Sequence, residues 1–307
     1  IFFVAWFLRP VLRQCFASAS PVLRQCFASA LPVLCQCFAM PFLKFHHVWY
    51  TKGELDEKQL GHHMHSCALV ERTFGGFGGN MRSKNHSFVA QHPEGFLGFP
   101  KGYAAKFMGF DGGDVRVTDG GRWGKDIEFV GKLDEGKQQH TSLKRTLDML
   151  EDSPEHGAVL CLPCGFGKTV VALAIAAVLG RKVFVLVHTQ FLQQQWVERI
   201  KTFIPRASVC LANSQQQIDD DRNAHITVGL MQSVVKLDPL LLRNYGLLIV
   251  DEGHHMPCAT LRSVICKFNA RYTLALTATP HGRSDGLENY LFWAVGQISQ
   301  HIRASYP

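Results

Sequence analysis

The sequence predicts an α/β fold built on a parallel sheet that helices cover on both faces. From about residue 140 onward, short apolar runs alternate with amphipathic stretches of helix length. Because a strand that is buried on both faces needs apolar side chains at nearly every position, this alternation is typical of a parallel sheet. Two segments rich in glycine or acidic residues directly follow such runs, and ligands bind at the carboxyl ends of strands in these folds.

The elements follow from the apolar runs in order. The predicted strands are residues 158–163, 182–188, 207–212, 225–230 and 247–251, and residues 272–280 are predicted as a strand with its loop. The predicted helices are residues 169–180, 191–203 and 259–268. The most apolar of these, VVALAIAAVLG, is far shorter than the ~20 residues that span a bilayer, so we expect a buried helix and no membrane partner.

Composition excludes a mainly disordered chain, because 47% of the 307 residues are hydrophobic and only 19% are charged. The net charge of +7 is no argument for nucleic-acid binding, since residues 1–50 alone carry four basic and no acidic side chains. The ten cysteines lie mostly in apolar runs, which indicates reduced thiols in an intracellular protein. Nucleus, cytoplasm and a viral setting stay open.

Residues 1–43 form a repetitive leader in which copies of an eleven-residue repeat begin at Pro10, Pro21 and Pro32. Such short copies cannot build a core of their own, so we expect a disordered low-complexity extension. Arg, Ser and Ala without acidic residues are also compatible with an organelle transit segment. Because the first residue is Ile, the chain is also compatible with a fragment.

Residues 44–135 predict a small accessory region that contains β-structure. HHMHSC at residues 62–67 has no second ligand pair at zinc-site spacing, so a surface histidine cluster is expected there. FGGFGGN at 74–80 has no strand before it and is interpreted as a loop. DGGDVRVTDGGRW at 111–123 predicts a short strand between two turns.

The segment PCGFGKT directly follows a predicted strand and opens a predicted helix, which is the setting of a phosphate-binding loop. Its glycines let backbone N–H groups face a polyphosphate, and the helix N-terminus favours negative charge. Lys168 would reach the β- and γ-phosphates of ATP, and the Thr169 hydroxyl would bind Mg²⁺. The expected nucleotide-binding residues are Pro163, Cys164, Gly165, Phe166, Gly167, Lys168 and Thr169. Cys161 and Cys164 form a CxxC, but no partner pair follows that would complete a zinc site.

LLIVDEGHH places two carboxylates at the end of another predicted strand. Asp251 is expected to hold Mg²⁺ through its water shell, and Glu252 to orient or deprotonate the attacking water. A coupling role is expected for His254. In LTATP, the hydroxyls of Thr277 and Thr279 are expected beside the metal-side carboxylate, although a Thr-rich strand end explains them equally well.

Taken in this order and spacing, PCGFGKT, DEGH and TATP resemble the first RecA-like domain of superfamily-2 helicases and translocases. The xeroderma pigmentosum group B (XPB)-like and type III restriction subunit branch is most similar, including helicases of large DNA viruses. In that branch a first glycine is usually absent from the loop, which accounts for Leu162. The resemblance implies a RecA-like domain over residues 136–300 that uses ATP and Mg²⁺.

The resemblance also implies contacts with the base and with nucleic acid. Adenine recognition would rest on a Gln in the segment GKLDEGKQQH, and Gln138 is chosen over the alternative Gln139. The nucleic-acid backbone would contact the ends of two predicted strands, at His188, Thr189, Gly229 and Gln232. Phe191, Leu192 and Trp196, by contrast, are expected in the core of a helix. HGRSDGL at 281–287 resembles a stretch that follows the third motif.

In such motors a second RecA-like domain supplies arginines to the site, and residues 301–307 are interpreted as a truncated tail. We therefore expect the ATP-binding domain of a DNA helicase or translocase, weak as an ATP hydrolase and unable to separate strands alone. A non-catalytic nucleic-acid-binding or regulatory module is the main alternative. A small-molecule kinase is a third, which DEGH followed by TATP disfavours.

Overall fold

The computed structural model describes residues 42–44, 46–51, 54–74, 81–92, 95–113, 117–281, 285 and 287–302. The predicted leader lies outside these ranges except for its last two residues, Phe42 and Leu43, which open a strand. Most of the FGGFGGN loop and the centres of the 111–123 and 281–287 segments also lie outside the described residues. The predicted boundary at residue 135 stays a prediction.

The first part of the chain contains two small antiparallel sheets. A four-stranded sheet has the order β1-β2-β6-β5, and β3 pairs with β4 as a hairpin. The strands are β1 Phe42–Lys44, β2 His47–Tyr50, β3 Ala68–Phe74, β4 Met81–Ser87, β5 Ala90–Gln91 and β6 Leu97–Pro100. The helices are α1 Glu57–Ser66 and α2 Lys101–Phe107. α1 carries the histidines of HHMHSC, and His63 Nδ1 lies 3.2 Å from the Tyr103 hydroxyl.

The second part confirms the predicted parallel sheet, which has seven strands in the order β13-β7-β12-β11-β8-β10-β9. The strands are β7 Gly157–Cys161, β8 Val183–Val187, β9 Val209–Leu211, β10 Ile226–Leu230, β11 Leu247–Val250, β12 Tyr272–Thr277 and β13 Ile298–His301. The helices are α3 Gln139–Asp152, α4 Lys168–Leu179, α5 Gln190–Phe203, α6 Gln215–Asp220, α7 Met231–Val234, α8 Ala259–Ile265 and α9 Asn289–Ala294. Short 3₁₀ turns occur at Pro239–Leu242 and Gly253–His255.

The register of this sheet brings the predicted motifs to one edge. β12 pairs with β7 and with β11, and all three strands are parallel. Thr277 lies opposite Cys161, and Ala275 lies opposite Val250. The phosphate loop, the acidic pair and the LTATP segment therefore leave three neighbouring strands at the same end of the sheet.

Burial corrects one expectation, for Phe191, and gives Gly229 a packing role. Trp196 is in the core as predicted, but Phe191, in the first turn of α5, is 73% exposed. Its position on the helix faces away from the sheet. Gly229 is buried in β10, where an added Cβ would lie 2.7 Å from Phe184 and 2.8 Å from Val234. The absence of a side chain at Gly229 therefore makes room for packing, and the nucleic-acid contact expected there stays a prediction.

A polar contact joins the small sheet to the parallel sheet at the opposite end. The buried Lys101 ammonium donates to Thr273 Oγ1 at 3.0 Å, and His46 Nε2 lies 2.8 Å from the same oxygen. Burial lowers the pKa of Lys101 to about 7, and the Glu155 carboxylate opposes that shift. No helix in the described part of the chain combines the length and apolarity needed to cross a membrane.

Candidate nucleotide site

The phosphate loop connects β7 to α4 with the backbone geometry that its glycines predict. Gly165 and Gly167 have φ of +79° and +83°, a region that side-chain-bearing residues rarely adopt. Gly167 is the N-cap of α4, so the unpaired N–H groups of the first turn face the loop. Lys168 Nζ donates to Leu162 O at 3.2 Å, which places the ammonium against the loop backbone.

The cysteine pair of the loop has a structural explanation. Burial raises the pKa of the Cys161 thiol to about 11, and Lys168 opposes that shift. Cys161 is therefore a neutral thiol at pH 7, whereas Cys164 is exposed on the loop. A neutral thiol is a poor nucleophile and metal ligand.

The two glutamines considered for the adenine side differ in their surroundings. Gln139 is buried, and its Nε2 donates to Phe166 O at 2.8 Å while its Oε1 accepts from Asp134 N at 2.9 Å. Gln138, the residue chosen from the sequence, is exposed, with φ of +52°. The left-handed backbone at Gln138 turns the chain into α3, so the following side chain faces the phosphate loop. Gln139 therefore joins the phosphate loop to the segment before α3, and the adenine contact expected at Gln138 stays a prediction.

The acidic pair follows β11 as predicted. Asp251 N donates to Leu186 O at 3.0 Å, which continues the strand pairing for one residue. Glu252 then has φ of +49° and ψ of +53°, a left-handed conformation that costs a non-glycine residue ~1–3 kcal/mol. This reversal ends the strand and turns the Glu252 side chain toward His254.

The predicted coupling residues lie together. His254 Nδ1 is 3.3 Å from Glu252 Oε2 and 3.4 Å from Thr277 Oγ1, and Thr279 N donates to Thr277 Oγ1 at 3.1 Å. A chain of polar contacts thus runs from the end of β11 to the end of β12. The His254 imidazole therefore contacts both Glu252 and Thr277.

The arrangement fits a magnesium nucleotide. β12 alone separates β7 from β11, so the phosphate loop and Asp251 are about two strand spacings, or ~10 Å, apart. An added Cβ on Gly165 would meet no atom within 4 Å, so open space lies above the loop. Mg²⁺ needs only one or two protein oxygens besides phosphates and waters, and Thr169 and Asp251 offer these. Within the described ranges, no three His, Cys, Asp or Glu side chains are grouped to hold a metal ion.

The residues expected at nucleic acid are only partly accessible. Thr189 is exposed and caps α5, accepting from Leu192 N at 3.2 Å, and Gln232 is exposed on α7. His188 is half-buried, and its ring centroid lies 4.9 Å from that of His255. Gly229 is buried in β10, and a nucleic-acid contact there stays a prediction.

A parallel sheet that carries a phosphate loop after one strand and an acidic pair two strands away defines a phosphate-loop nucleoside triphosphatase domain of RecA-like type. The sequence match is more specific. Residues 132–282 match the family model "Type III restriction enzyme, res subunit", a model of the first RecA-like domain of superfamily-2 helicases.

Relatives and a solved structure agree with this assignment. "Putative ATP-dependent RNA helicase L396" of Acanthamoeba polyphaga mimivirus is 30% identical over 227 residues, which are 73% of this chain and 42% of that protein. "Putative helicase 109L" of Invertebrate iridescent virus 3 is 32% identical over 52% of this chain and 48% of its own length. The UvsW helicase of bacteriophage T4 shares the fold with a TM-score of 0.58 at 16% identity, over 83% of this chain and 96% of that chain. The chain thus spans less than half of either viral relative.

Proposed function

We propose that this chain binds Mg–ATP and hydrolyses it as the first motor domain of a nucleic-acid helicase or translocase. The observation that carries the proposal is the sheet order, which brings the phosphate loop, Asp251 and Thr277 to neighbouring strand ends. The family match at residues 132–282 supports an ATP-dependent helicase-type domain independently of this geometry.

Each role follows from position. Lys168 and the backbone of the loop would bind the phosphates, while Thr169 and Asp251 would bind Mg²⁺ directly or through its waters. Glu252 would orient and deprotonate the attacking water. His254 would report the position of the LTATP segment to Glu252, because it contacts both Glu252 and Thr277. We propose Gln139, in place of Gln138, as the glutamine that acts on the nucleotide site, through its bond to the Phe166 carbonyl of the phosphate loop.

The proposed nucleic-acid surface is the start of α5 together with α7. Thr189, Gln190 and Gln232 are exposed there, and so is Phe191, the residue that follows Gln190 in α5. Exposed aromatic rings offer a face on which bases can stack. The resemblance to the XPB-like branch favours DNA, whereas the name of the mimivirus relative says RNA. We propose DNA as the substrate and test RNA beside it.

Slow turnover is expected from this chain when it is tested alone. In motors that it resembles, arginines from a second RecA-like domain stabilise the transferred phosphoryl group, and such arginines contribute ~10³–10⁵ in rate in related enzymes. Strand separation likewise belongs to the complete relatives, of which this chain matches less than half.

The test is ATP hydrolysis measured alone, with single-stranded DNA and with single-stranded RNA. We expect slow hydrolysis that nucleic acid stimulates and that Lys168→Ala abolishes. Lys144→Ala, at an exposed position on α3, is the matched control and should behave as wild type. Nucleotide binding without turnover under every condition would favour a regulatory module, and the absence of nucleotide binding would refute the proposal.

A further inference from the structure

Trp196 is buried in the apolar core, but its indole N–H makes a polar contact. Its side chain is 1% exposed within the core, yet its indole Nε1 donates to Asp251 Oδ2 at 2.8 Å. The other carboxylate oxygen, Oδ1, accepts from Glu252 N at 3.0 Å. Both oxygens of Asp251 are thereby held, so the carboxylate plane has one orientation.

The contact serves both partners, the buried indole N–H of Trp196 and the Asp251 carboxylate. An indole N–H is a donor only, and once buried it needs an acceptor. A carboxylate acceptor makes the bond charge-assisted, and such bonds are about twice as strong as neutral ones. Groups that hold a metal-binding carboxylate fix its direction and tune its affinity for the ion.

The helix that carries Trp196 begins at the proposed nucleic-acid surface. Thr189 caps α5 seven residues before Trp196, a distance of ~10 Å along the helix axis. Between them, Gln193 Nε2 donates to Val228 O at 2.9 Å and fixes the helix to β10. A displacement of the start of α5 would therefore act directly on the bond to Asp251.

We propose that Trp196 is a positioning residue that aims the Asp251 carboxylate at Mg²⁺ and connects the metal site to the start of α5. The proposal rests on the proposed function, because it assumes that Mg²⁺ binds with a nucleotide beside Asp251. Burial alone would predict only a packing role for Trp196, and the proposal adds this residue to the metal site.

The test compares Trp196→Phe with Trp293→Phe. The first change removes the N–H donor and keeps an aromatic ring. The second removes a buried indole that packs against Phe88 and Tyr103, away from the site. The affinity of fluorescent ADP is measured in EDTA and over a Mg²⁺ titration, and thermal unfolding is measured for each variant.

For Trp196→Phe, we expect the Mg²⁺ concentration that gives half-maximal enhancement of ADP binding to rise by about 10–100-fold, with affinity in EDTA unchanged. Trp293→Phe should leave both values unchanged. A folded Trp196→Phe variant with a wild-type Mg²⁺ titration would overturn the proposal. If wild type binds no ADP with Mg²⁺, the proposed function fails, which is a separate outcome from failure of the Trp196 assignment.

A measurement on the wild-type side chain covers the case in which Trp196→Phe does not fold. With ¹⁵N-labelled indoles, the resonance of one buried indole should move in Asp251→Asn, and in the wild type it should move when Mg–ADP binds. Trp123→Phe and Trp293→Phe identify the resonances of the other two indoles of the parallel-sheet region. If no indole resonance responds to Asp251→Asn, the bond does not exist in solution and the proposal is wrong.

Discussion

Replacement of Gln139 by Ala should loosen the phosphate loop and lower nucleotide affinity. The side chain makes two hydrogen bonds. Its Nε2 donates to Phe166 O, and its Oε1 accepts from Asp134 N. These bonds join the segment before α3 to the loop that follows β7. Both bonds are partly buried, so water replaces them incompletely in the variant.

The magnitude follows from those two bonds. A hydrogen bond contributes about 0.5–1.5 kcal/mol net, so their loss should lower the free energy of unfolding by ~1–3 kcal/mol. Nucleotide affinity should fall as well, because the loop then pays more entropy to adopt its bound shape.

The assay pairs Gln139→Ala with its neighbour Gln138→Ala. Urea unfolding and fluorescent-ADP binding are measured for both. Gln138 is exposed, and Gln and Ala are both side-chain-bearing residues at its left-handed backbone position. Its replacement by Ala should therefore change the free energy of unfolding by less than ~0.5 kcal/mol and leave ADP affinity unchanged. Equal effects of the two substitutions, or a larger effect at Gln138, would refute the reasoning and restore the choice made from the sequence.

Three further changes test burial, exposure and charge. Gly229→Ala should cost ~1–3 kcal/mol in urea unfolding, because its Cβ would press on Phe184, and should leave nucleic-acid binding intact. Phe191→Ala should weaken binding of single-stranded nucleic acid in fluorescence anisotropy by ~1–3 kcal/mol, with little change in stability. Lys101→Met should flatten the pH dependence of unfolding between about pH 7 and pH 10. Burial lowers the pKa of folded Lys101 to about 7, so in that window the unfolded chain binds more protons and wild-type stability rises with pH.

Each of these changes has a control elsewhere in the chain. Gly61→Ala adds a Cβ to α1, where nothing lies within 4 Å, and should not destabilise. Phe107→Ala, the control for Phe191→Ala, removes a different exposed ring. Lys106→Met, the control for Lys101→Met, removes an exposed ammonium from the same helix. A destabilisation by Gly61→Ala as large as that by Gly229→Ala would contradict the packing argument. Equal losses of nucleic-acid binding in Phe107→Ala and Phe191→Ala would contradict the stacking role of Phe191. A pH dependence of unfolding that Lys101→Met leaves unchanged would contradict the lowered pKa of Lys101.

The parallel sheet was predictable because its central strands are continuous apolar runs, and such runs have few other uses in a chain of this length. β13, Ile298–His301, was missed because an edge strand needs fewer apolar residues, and this one reads ISQH. The helix α3 was missed as well, since its start depends on the left-handed backbone at Gln138.

The motifs of the site were predictable in kind, but which residue makes each contact was not. A one-residue choice between Gln138 and Gln139 depends on the direction in which a turn enters a helix. Exposure of Phe191 depends on where α5 begins relative to the sheet. The bond from Trp196 to Asp251 joins residues 55 apart in sequence, and only the packing of α5 on the sheet brings them together.

A crystal structure with Mg²⁺ and a non-hydrolysable ATP analogue tests the central claim most directly. We predict phosphates in the loop at residues 163–169, with Lys168 Nζ on them and one metal ion between the Thr169 hydroxyl and the Asp251 carboxylate. Phosphates bound elsewhere, or a metal ion remote from Asp251, would contradict the account.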